Sequence, residues 1–226
     1  MPVLEIGPGM GVLTRFLLDR GHDVTVVEID RESVEYLGAH FPELDGRVLG
    51  EDFLRMDLDG LFDGKEFCVI GNYPYNISSQ IFFRVLEVKD RVVCCSGMLQ
   101  REVAERLAAS PGTKARGILS VLLQAWYDVE YLFTVSEHVF NPPPKVKSGV
   151  IRMTRNGVTD LGCDPVLFKT VVKTTFGMRR KTIRNSIRSL LPPDVPLDSP
   201  LLAKRPEQLS VAEFVELTRM VADVRR

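Results

Sequence analysis

A glycine-rich loop near the start of the chain constrains its fold more than any other feature of the sequence. Glycine occupies alternate positions in Glu5-Ile-Gly-Pro-Gly-Met-Gly11, directly after the apolar residues 3–6 and directly before a helix-like run from Val12. Glycines let a backbone turn sharply and approach a ligand closely, and the first N–H groups of a following helix lack partners within it. The loop predicts a strand, a ligand-binding turn and a helix, although such glycines also serve simple turns.

Strand-like and helix-like runs alternate along the first two thirds of the chain. Apolar runs predict strands at residues 3–6, 23–28, 66–70, 91–96, 127–134 and 146–154. Helical patterns predict helices at residues 12–20, 32–39, 79–86, 100–108 and 118–126. This alternation predicts an α/β fold with a parallel, doubly wound sheet. Because the pattern is helical from about residue 164 onward, we expect a first domain at residues 1–157 and a small helical domain at residues 158–226.

Composition excludes several classes of protein. No apolar run approaches the roughly 20 residues that a membrane span needs, and no signal peptide precedes the first strand-like run. The four cysteines have no metal-ligand spacing, so no metal site is expected. We therefore expect a cytoplasmic protein with free thiols and no membrane partner.

The formal net charge of −1 conceals an asymmetry along the chain. Residues 145–226 hold 16 Lys and Arg against 8 Asp and Glu, so the excess of positive charge lies in the C-terminal part. Such an excess suits a polyanionic partner, although it is also typical of a solvated helical face.

Glu28 strengthens the ligand-binding interpretation of the glycine loop. It ends the second predicted strand, 17 positions after Gly11, and its carboxylate can accept hydrogen bonds from both hydroxyls of a ribose. The pair indicates a nucleoside-containing cofactor, which leaves a nicotinamide dehydrogenase and a methyltransferase as alternatives. The G-x-G-x-G arrangement after Glu5 resembles motif I of class I methyltransferases more than the dinucleotide fingerprint.

The motif Asn72-Tyr-Pro-Tyr75 follows the predicted strand at residues 66–70, at the sheet edge where open α/β folds place ligands. An amine that attacks a methyl sulfonium needs acceptors for its N–H groups and a platform for its ring. The Asn72 side-chain oxygen and the Pro74 carbonyl can be these acceptors. Tyr75 can stack on a base, which is worth roughly 1 to 3 kcal/mol. Short strings of this type also occur in ordinary turns.

The motif resembles motif IV of amino-methyltransferases, in the form typical of KsgA-type rRNA adenine dimethyltransferases. Further strings similar to that family follow in order, at residues 98–106, 140–148, 176–185, 205–210 and 213–214. The resemblance extends from about residue 3 to about residue 217. It implies a Rossmann-like class I methyltransferase sheet at residues 1–157 and a small all-α RNA-binding domain at residues 158–226.

The resemblance also implies an activity: S-adenosyl-L-methionine-dependent N6,N6-dimethylation of two adjacent adenosines near the 3′ end of small-subunit rRNA, in a ribosomal precursor. The residues implied to hold the cofactor are Gly7, Gly9, Gly11, Glu28, Ile29, Asp52, Phe53 and Asn72. The residues implied to serve the target adenine are Asn72, Pro74, Tyr75 and Phe140. Taken alone, Asp52 also suits a turn or helix cap and Phe140 suits a core. We expect a monomer, and a non-catalytic rRNA-binding assembly factor of the same fold is the alternative.

A basic cluster is the candidate RNA contact. We predict that its C-terminal members lie on one face of a helix, where residues three and four apart are neighbours, and that they bind rRNA phosphates. The predicted RNA-binding residues are Lys145, Lys147, Arg179, Arg180, Lys181, Arg184 and Arg188. A solvated face is again the alternative.

The family pattern also contains roughly thirty residues before motif I, with a Q-x-F-L-like segment that closes over the cofactor. This chain begins with Met1-Pro2 at the predicted strand itself. We therefore expect an open cofactor pocket, with weak cofactor affinity and low activity for the chain as given.

Overall fold

The computed structural model describes residues 1–193 and 198–225. Its sheet has seven strands in the order β3-β2-β1-β4-β5-β7-β6. The strands are β1 (Pro2–Ile6), β2 (Asp23–Val27), β3 (Val48–Leu49), β4 (Phe67–Asn72), β5 (Val92–Gln100), β6 (Tyr127–Val135) and β7 (Ser148–Arg155). All six predicted strands are present, each shifted at its ends by a few residues, and β3 is an additional short strand.

The sheet is mixed, whereas the sequence predicted a parallel one. β1 pairs in parallel with β2 and β4, and parallel pairing continues from β2 to β3 and from β4 to β5. β7 runs antiparallel to β5. Residues 136–147, between β6 and β7, contain one short 3-10 turn and no crossover helix. Parallel strands need a crossover connection of a dozen or more residues, usually a helix, so this link reverses the chain.

Helices follow the strands as the sequence predicted. They are α1 (Val12–Leu18), α2 (Arg31–His40), α3 (Ser78–Glu87), α4 (Arg101–Leu107), α5 (Ile118–Gln124), α6 (Pro165–Gly177), α7 (Ile183–Ser186) and α8 (Val211–Asp223). Side chains of Asp30, Asp164 and Ser210 accept hydrogen bonds from first-turn N–H groups of α2, α6 and α8. These caps fix where the helices begin, because first-turn N–H groups have no partner within the helix. No helix within the described ranges combines the length and apolar character that crossing a membrane requires.

By contacts between residues the chain separates into two compact units, Met1–Ala104 with Asp128–Arg155 and Glu105–Tyr127 with Asn156–Arg226. In the first unit, apolar side chains of β1, β2, α1 and α2 form one buried cluster. In the second, α6 packs against α8, and the rings of Phe176 and Phe214 stack 6.0 Å apart. The sequence predicted domains at residues 1–157 and 158–226 and gave each a functional role, and this division stays a prediction.

Candidate active site

The glycine loop joins β1 to α1 through left-handed backbone at each predicted glycine. The φ angle is +65° at Gly7, +55° at Gly9 and +79° at Gly11. A Cβ atom on Gly11 would lie 2.4 Å from Cζ of Phe41, so both the backbone angle and the available space require glycine there. At Gly9 nothing lies within 4 Å of such an atom, and the backbone angle alone favours glycine. The loop is therefore shaped by its backbone, as the sequence indicated.

Glu28 follows β2 directly, and its carboxylate holds the glycine loop. Oε2 accepts a hydrogen bond from the Gly9 N–H at 3.1 Å, while Oε1 accepts from the N–H groups of Ile29 at 2.8 Å and Asp30 at 3.0 Å. A carboxylate offers about four acceptor positions, so these bonds leave room for one more donor. The structure thus brings Glu28, Ile29 and the loop together, and the carboxylate has room for one ribose hydroxyl rather than for the two that the sequence suggested.

Asp52 caps a turn after β3. Its Oδ1 accepts a hydrogen bond from the Leu54 N–H at 2.9 Å, and its Oδ2 lies 3.5 Å from the Arg55 guanidinium. These contacts match the turn-forming alternative. The neighbouring Phe53 is buried at 5% exposure, so its side chain belongs to the core.

A cavity of about 510 Å³ brings the glycine loop and Asn72 together. β4 lies beside β1, with Gly71 opposite Ile6, so Asn72 is level with the start of the loop. The cavity is lined by Gly7, Gly9 and Asn72 together with side chains of β5 and β7, among them Met98 and Val150. Its walls are mainly apolar with few polar groups, as in most small-molecule sites.

Glu5 is a lining residue that sequence reasoning did not place among the site residues. It is 1% exposed, and burial raises the pKa of its carboxyl group to about 7, an effect that the nearby Thr14 side chain only partly offsets. Among the described residues Glu5 Oε2 has no hydrogen-bond partner. Its position directly before the glycines was the available signal.

Tyr75 is held by a residue that lies far away in the sequence. Its hydroxyl group lies 2.6 Å from the hydroxyl oxygen of Ser148, a buried residue at the start of β7. The Pro74 carbonyl accepts a hydrogen bond from the Ile77 N–H at 3.2 Å, and its second lone pair remains for another donor. Ser148 is the last residue of the family-like string at residues 140–148, and its contact with Tyr75 depends on the fold.

The connection between β6 and β7 carries the next group of predicted residues. Phe140 is partly buried there, while Lys145 and Lys147 are exposed. The backbone carbonyl of Lys147 accepts a hydrogen bond from the Arg101 N–H at 2.9 Å. This segment leads directly into Ser148, the partner of Tyr75.

The C-terminal basic cluster does not lie on one helix, and that prediction is wrong. α6 ends at Gly177, Arg179 to Lys181 form a turn, Arg184 lies on α7, and Arg188 lies in a 3-10 turn. Glycine is a poor helix former, and Thr182 begins α7 as its N-cap residue, so the chain leaves the helix between them. All five side chains are exposed, but the guanidinium of Arg179 also donates to the Lys114 carbonyl.

Residues 1–193 and 198–225 contain no group of three or more His, Cys, Asp or Glu side chains that could hold a metal ion. The candidate site consists of the glycine loop, its neighbouring carboxylates and the segment Asn72 to Tyr75.

The strand order, the reversed β7 and the glycine loop after β1 define the class of Rossmann-like methyltransferases. Two solved structures share this fold. A dimethyladenosine transferase from Plasmodium falciparum has a TM-score of 0.81 at 22% identity, covering 99% of this chain and 90% of that one. The 23S rRNA methyltransferase ErmE has a TM-score of 0.69 at 27% identity, covering 96% and 91%. The predicted fold class is confirmed.

The family model for ribosomal RNA adenine dimethylase matches residues 1–221, and the chain belongs to this family. The ribosomal RNA small subunit methyltransferase A of Parabacteroides distasonis is 70% identical over 219 residues, which cover 96% of this chain and 82% of that protein. The predicted family and the methyltransferase class of enzyme are confirmed.

Proposed function

We propose that this chain transfers methyl groups from S-adenosyl-L-methionine to N6 of two adjacent adenosines near the 3′ end of small-subunit rRNA, leaving both as N6,N6-dimethyladenosine. The observation that carries the proposal is the cavity that joins the glycine loop to Asn72. Membership of the adenine dimethylase family supports the same reaction.

The residues around the cavity suit the proposed cofactor. Left-handed glycines keep the backbone clear of side chains, Glu28 has acceptor capacity for a ribose hydroxyl, and a deep carboxyl group at Glu5 suits a cationic ligand. Gly11, Ile29, Asp52 and Phe53 complete the cofactor set proposed from the sequence. When bound, the cofactor supplies an electrophilic methyl carbon: the amine lone pair forms the new C–N bond, and the C–S pair returns to sulfur.

Asn72 and Pro74 hold the amine. The Asn72 side-chain oxygen and the free lone pair of the Pro74 carbonyl accept its N–H groups, which directs the nitrogen lone pair toward the cavity. Because the amine becomes cationic only as it attacks, its proton then leaves to water, and no strong general base is needed.

Tyr75 and Phe140 hold the adenine ring. An enzyme that modifies a base takes it out of its stack and reads it between aromatic faces. The hydrogen bond to Ser148 ties Tyr75 to the strand that follows the Phe140 segment, which supports a role for both rings in one base pocket.

Exposed basic residues bind rRNA phosphates in this proposal. Lys145 and Lys147 lie in the β6–β7 connection, and the cluster from Arg179 to Arg188 lies in residues 158–226, the proposed RNA-binding domain. Lys181 and Arg184 belong to this cluster. Phosphate contacts release counterions and give affinity that falls with salt. We take the substrate to be a small-subunit precursor and the enzyme to act as a cytoplasmic monomer.

The test is transfer of labelled methyl from S-adenosyl-L-methionine to small subunits that lack the modification. We expect label in N6,N6-dimethyladenosine with the wild-type chain, none with Asn72→Ala, and wild-type label with Asn156→Ala, which removes the same kind of side chain from a turn after β7. Subunit binding without transfer by the wild-type chain would favour the assembly-factor alternative.

A further inference from the structure

Tyr73 points the opposite way from its neighbours in the motif. It is 1% exposed, whereas Asn72 and Pro74 on either side are exposed and Tyr75 is partly exposed. The residue between the two proposed amine acceptors is therefore a core residue, and its ring does not line the cavity.

Tyr73 is tied to β5 at two points. Its backbone N–H donates to the Met98 carbonyl at 2.9 Å, and its side-chain hydroxyl donates to the Ser96 carbonyl at 2.8 Å. The Cys95 sulfur lies 3.3 Å from the same hydroxyl oxygen. These two hydrogen bonds to one strand restrict both the position of residue 73 along β5 and the rotation of its side chain.

Two glycines on neighbouring strands make room for the ring. Gly71 of β4 and Gly97 of β5 stand opposite each other in the sheet. A Cβ atom would lie 2.9 Å from the Tyr73 ring at Gly71 and 2.4 Å from it at Gly97. On another side the ring makes a T-shaped contact with Phe82, with centroids 5.6 Å apart. The ring therefore fits one position between the sheet and α3.

We infer that Tyr73 is a positioning residue that sets the placement of Asn72 and Pro74 through its hydroxyl bond to Ser96. This inference rests on the proposed function, since it concerns how the two acceptors hold the amine. Burial raises the pKa of the Tyr73 hydroxyl well above its usual value, so the group stays protonated and remains a donor. Removing the hydroxyl leaves the ring and the backbone bond to Met98 in place but takes away one of the two anchors on β5, so the segment is held less tightly.

The second methyl transfer depends on this placement more than the first. An unmodified adenine offers two N–H groups to two acceptors, whereas N6-methyladenine offers one N–H group and must also accommodate a methyl group. A misplacement of about 1 Å can cost on the order of a hundredfold in rate, so a shift of a few tenths of an ångström costs up to about tenfold. Tyr73→Phe is thus expected to lower kcat for the second transfer by about tenfold and to accumulate N6-methyladenosine.

The experiment compares wild type, Tyr73→Phe and Tyr127→Phe, since Tyr127 is equally buried but lies at the start of β6, two strands beyond β5. The ratio of monomethyl to dimethyl product, kcat, KM for the subunit, and the Kd of S-adenosylhomocysteine are measured at a temperature where all three proteins are folded. We expect the ratio to rise in Tyr73→Phe alone, with KM and Kd within about twofold of wild type. An unchanged ratio in Tyr73→Phe, or an equal rise in Tyr127→Phe, would overturn the inference.

Amide hydrogen exchange separates this inference from the proposed function, because it needs no substrate. The N–H of residue 73 is expected to exchange at least about tenfold faster in Tyr73→Phe than in wild type, while amides of β2 keep their rates. If wild type transfers no methyl, the proposed function fails, and the exchange rate still decides whether the hydroxyl anchors the segment. Unchanged exchange at residue 73 would overturn the anchor.

Discussion

Replacing Glu5 with glutamine tests the burial of the carboxyl group at the end of β1. Glu5 is 1% exposed, and burial raises its pKa from 4.5 to about 7. A displacement of this size corresponds to about 3 kcal/mol of the free energy of unfolding. Below pH 4.5 the carboxyl group is neutral in the folded and unfolded states alike, so it adds no pH dependence there.

Between pH 4.5 and about 7 the unfolded chain releases this proton while the folded protein keeps it. The free energy of unfolding of the wild type therefore falls relative to Glu5→Gln as pH rises, and the accumulated change levels off at about 3 kcal/mol above pH 7. Urea unfolding followed by circular dichroism from about pH 5 to about pH 8 measures it. The exposed Glu66→Gln variant is the matched control. If wild type and Glu5→Gln keep a constant difference across this range, the carboxyl group is not desolvated as described.

Three further substitutions test other parts of the site. Replacing Arg179 and Arg180 with Glu is expected to weaken subunit binding and to lower the slope of its salt dependence by about 2, with cofactor affinity unchanged. Isothermal titration calorimetry measures both affinities, and an equal loss of both would contradict an RNA role. Ser148→Ala removes the 2.6 Å partner of the Tyr75 hydroxyl and is expected to lower kcat/KM by about tenfold in the methyl transfer assay, so wild-type kinetics would refute this contact. Gly11→Ala is expected to lower the free energy of unfolding by at least about 1 kcal/mol, because it combines a φ of +79° with a crowded Cβ position, and a neutral result in urea unfolding would contradict that crowding.

Local sequence signals predicted most of the elements, because apolar period and turn residues act over short distances. The strand-like run at residues 23–28 is β2 (Asp23–Val27), and α1 begins at Val12 directly after the glycine loop, as predicted. The direction of β7 was not predictable in the same way, since it depends on which strand it pairs with. The break after Gly177 was predictable in part, but the charged residues that follow it suited a continued helix equally well.

The same distinction between local signals and the fold applies to the candidate site. Glycine backbone angles follow from residue type, so the loop could be predicted, whereas the partners of its acidic neighbours could not. Glu28 and Asp52 accept hydrogen bonds from N–H groups of nearby residues, while Glu5, in the same unit of the protein, is enclosed by the fold and retains a partnerless oxygen among the described residues. As side chains, these three carboxylates have the same chemistry. Their donors separate them: Glu28 and Asp52 accept hydrogen bonds from backbone N–H groups, whereas the Thr14 side chain only partly offsets the desolvation of Glu5. A cationic ligand in the cavity would therefore favour the charged form of Glu5.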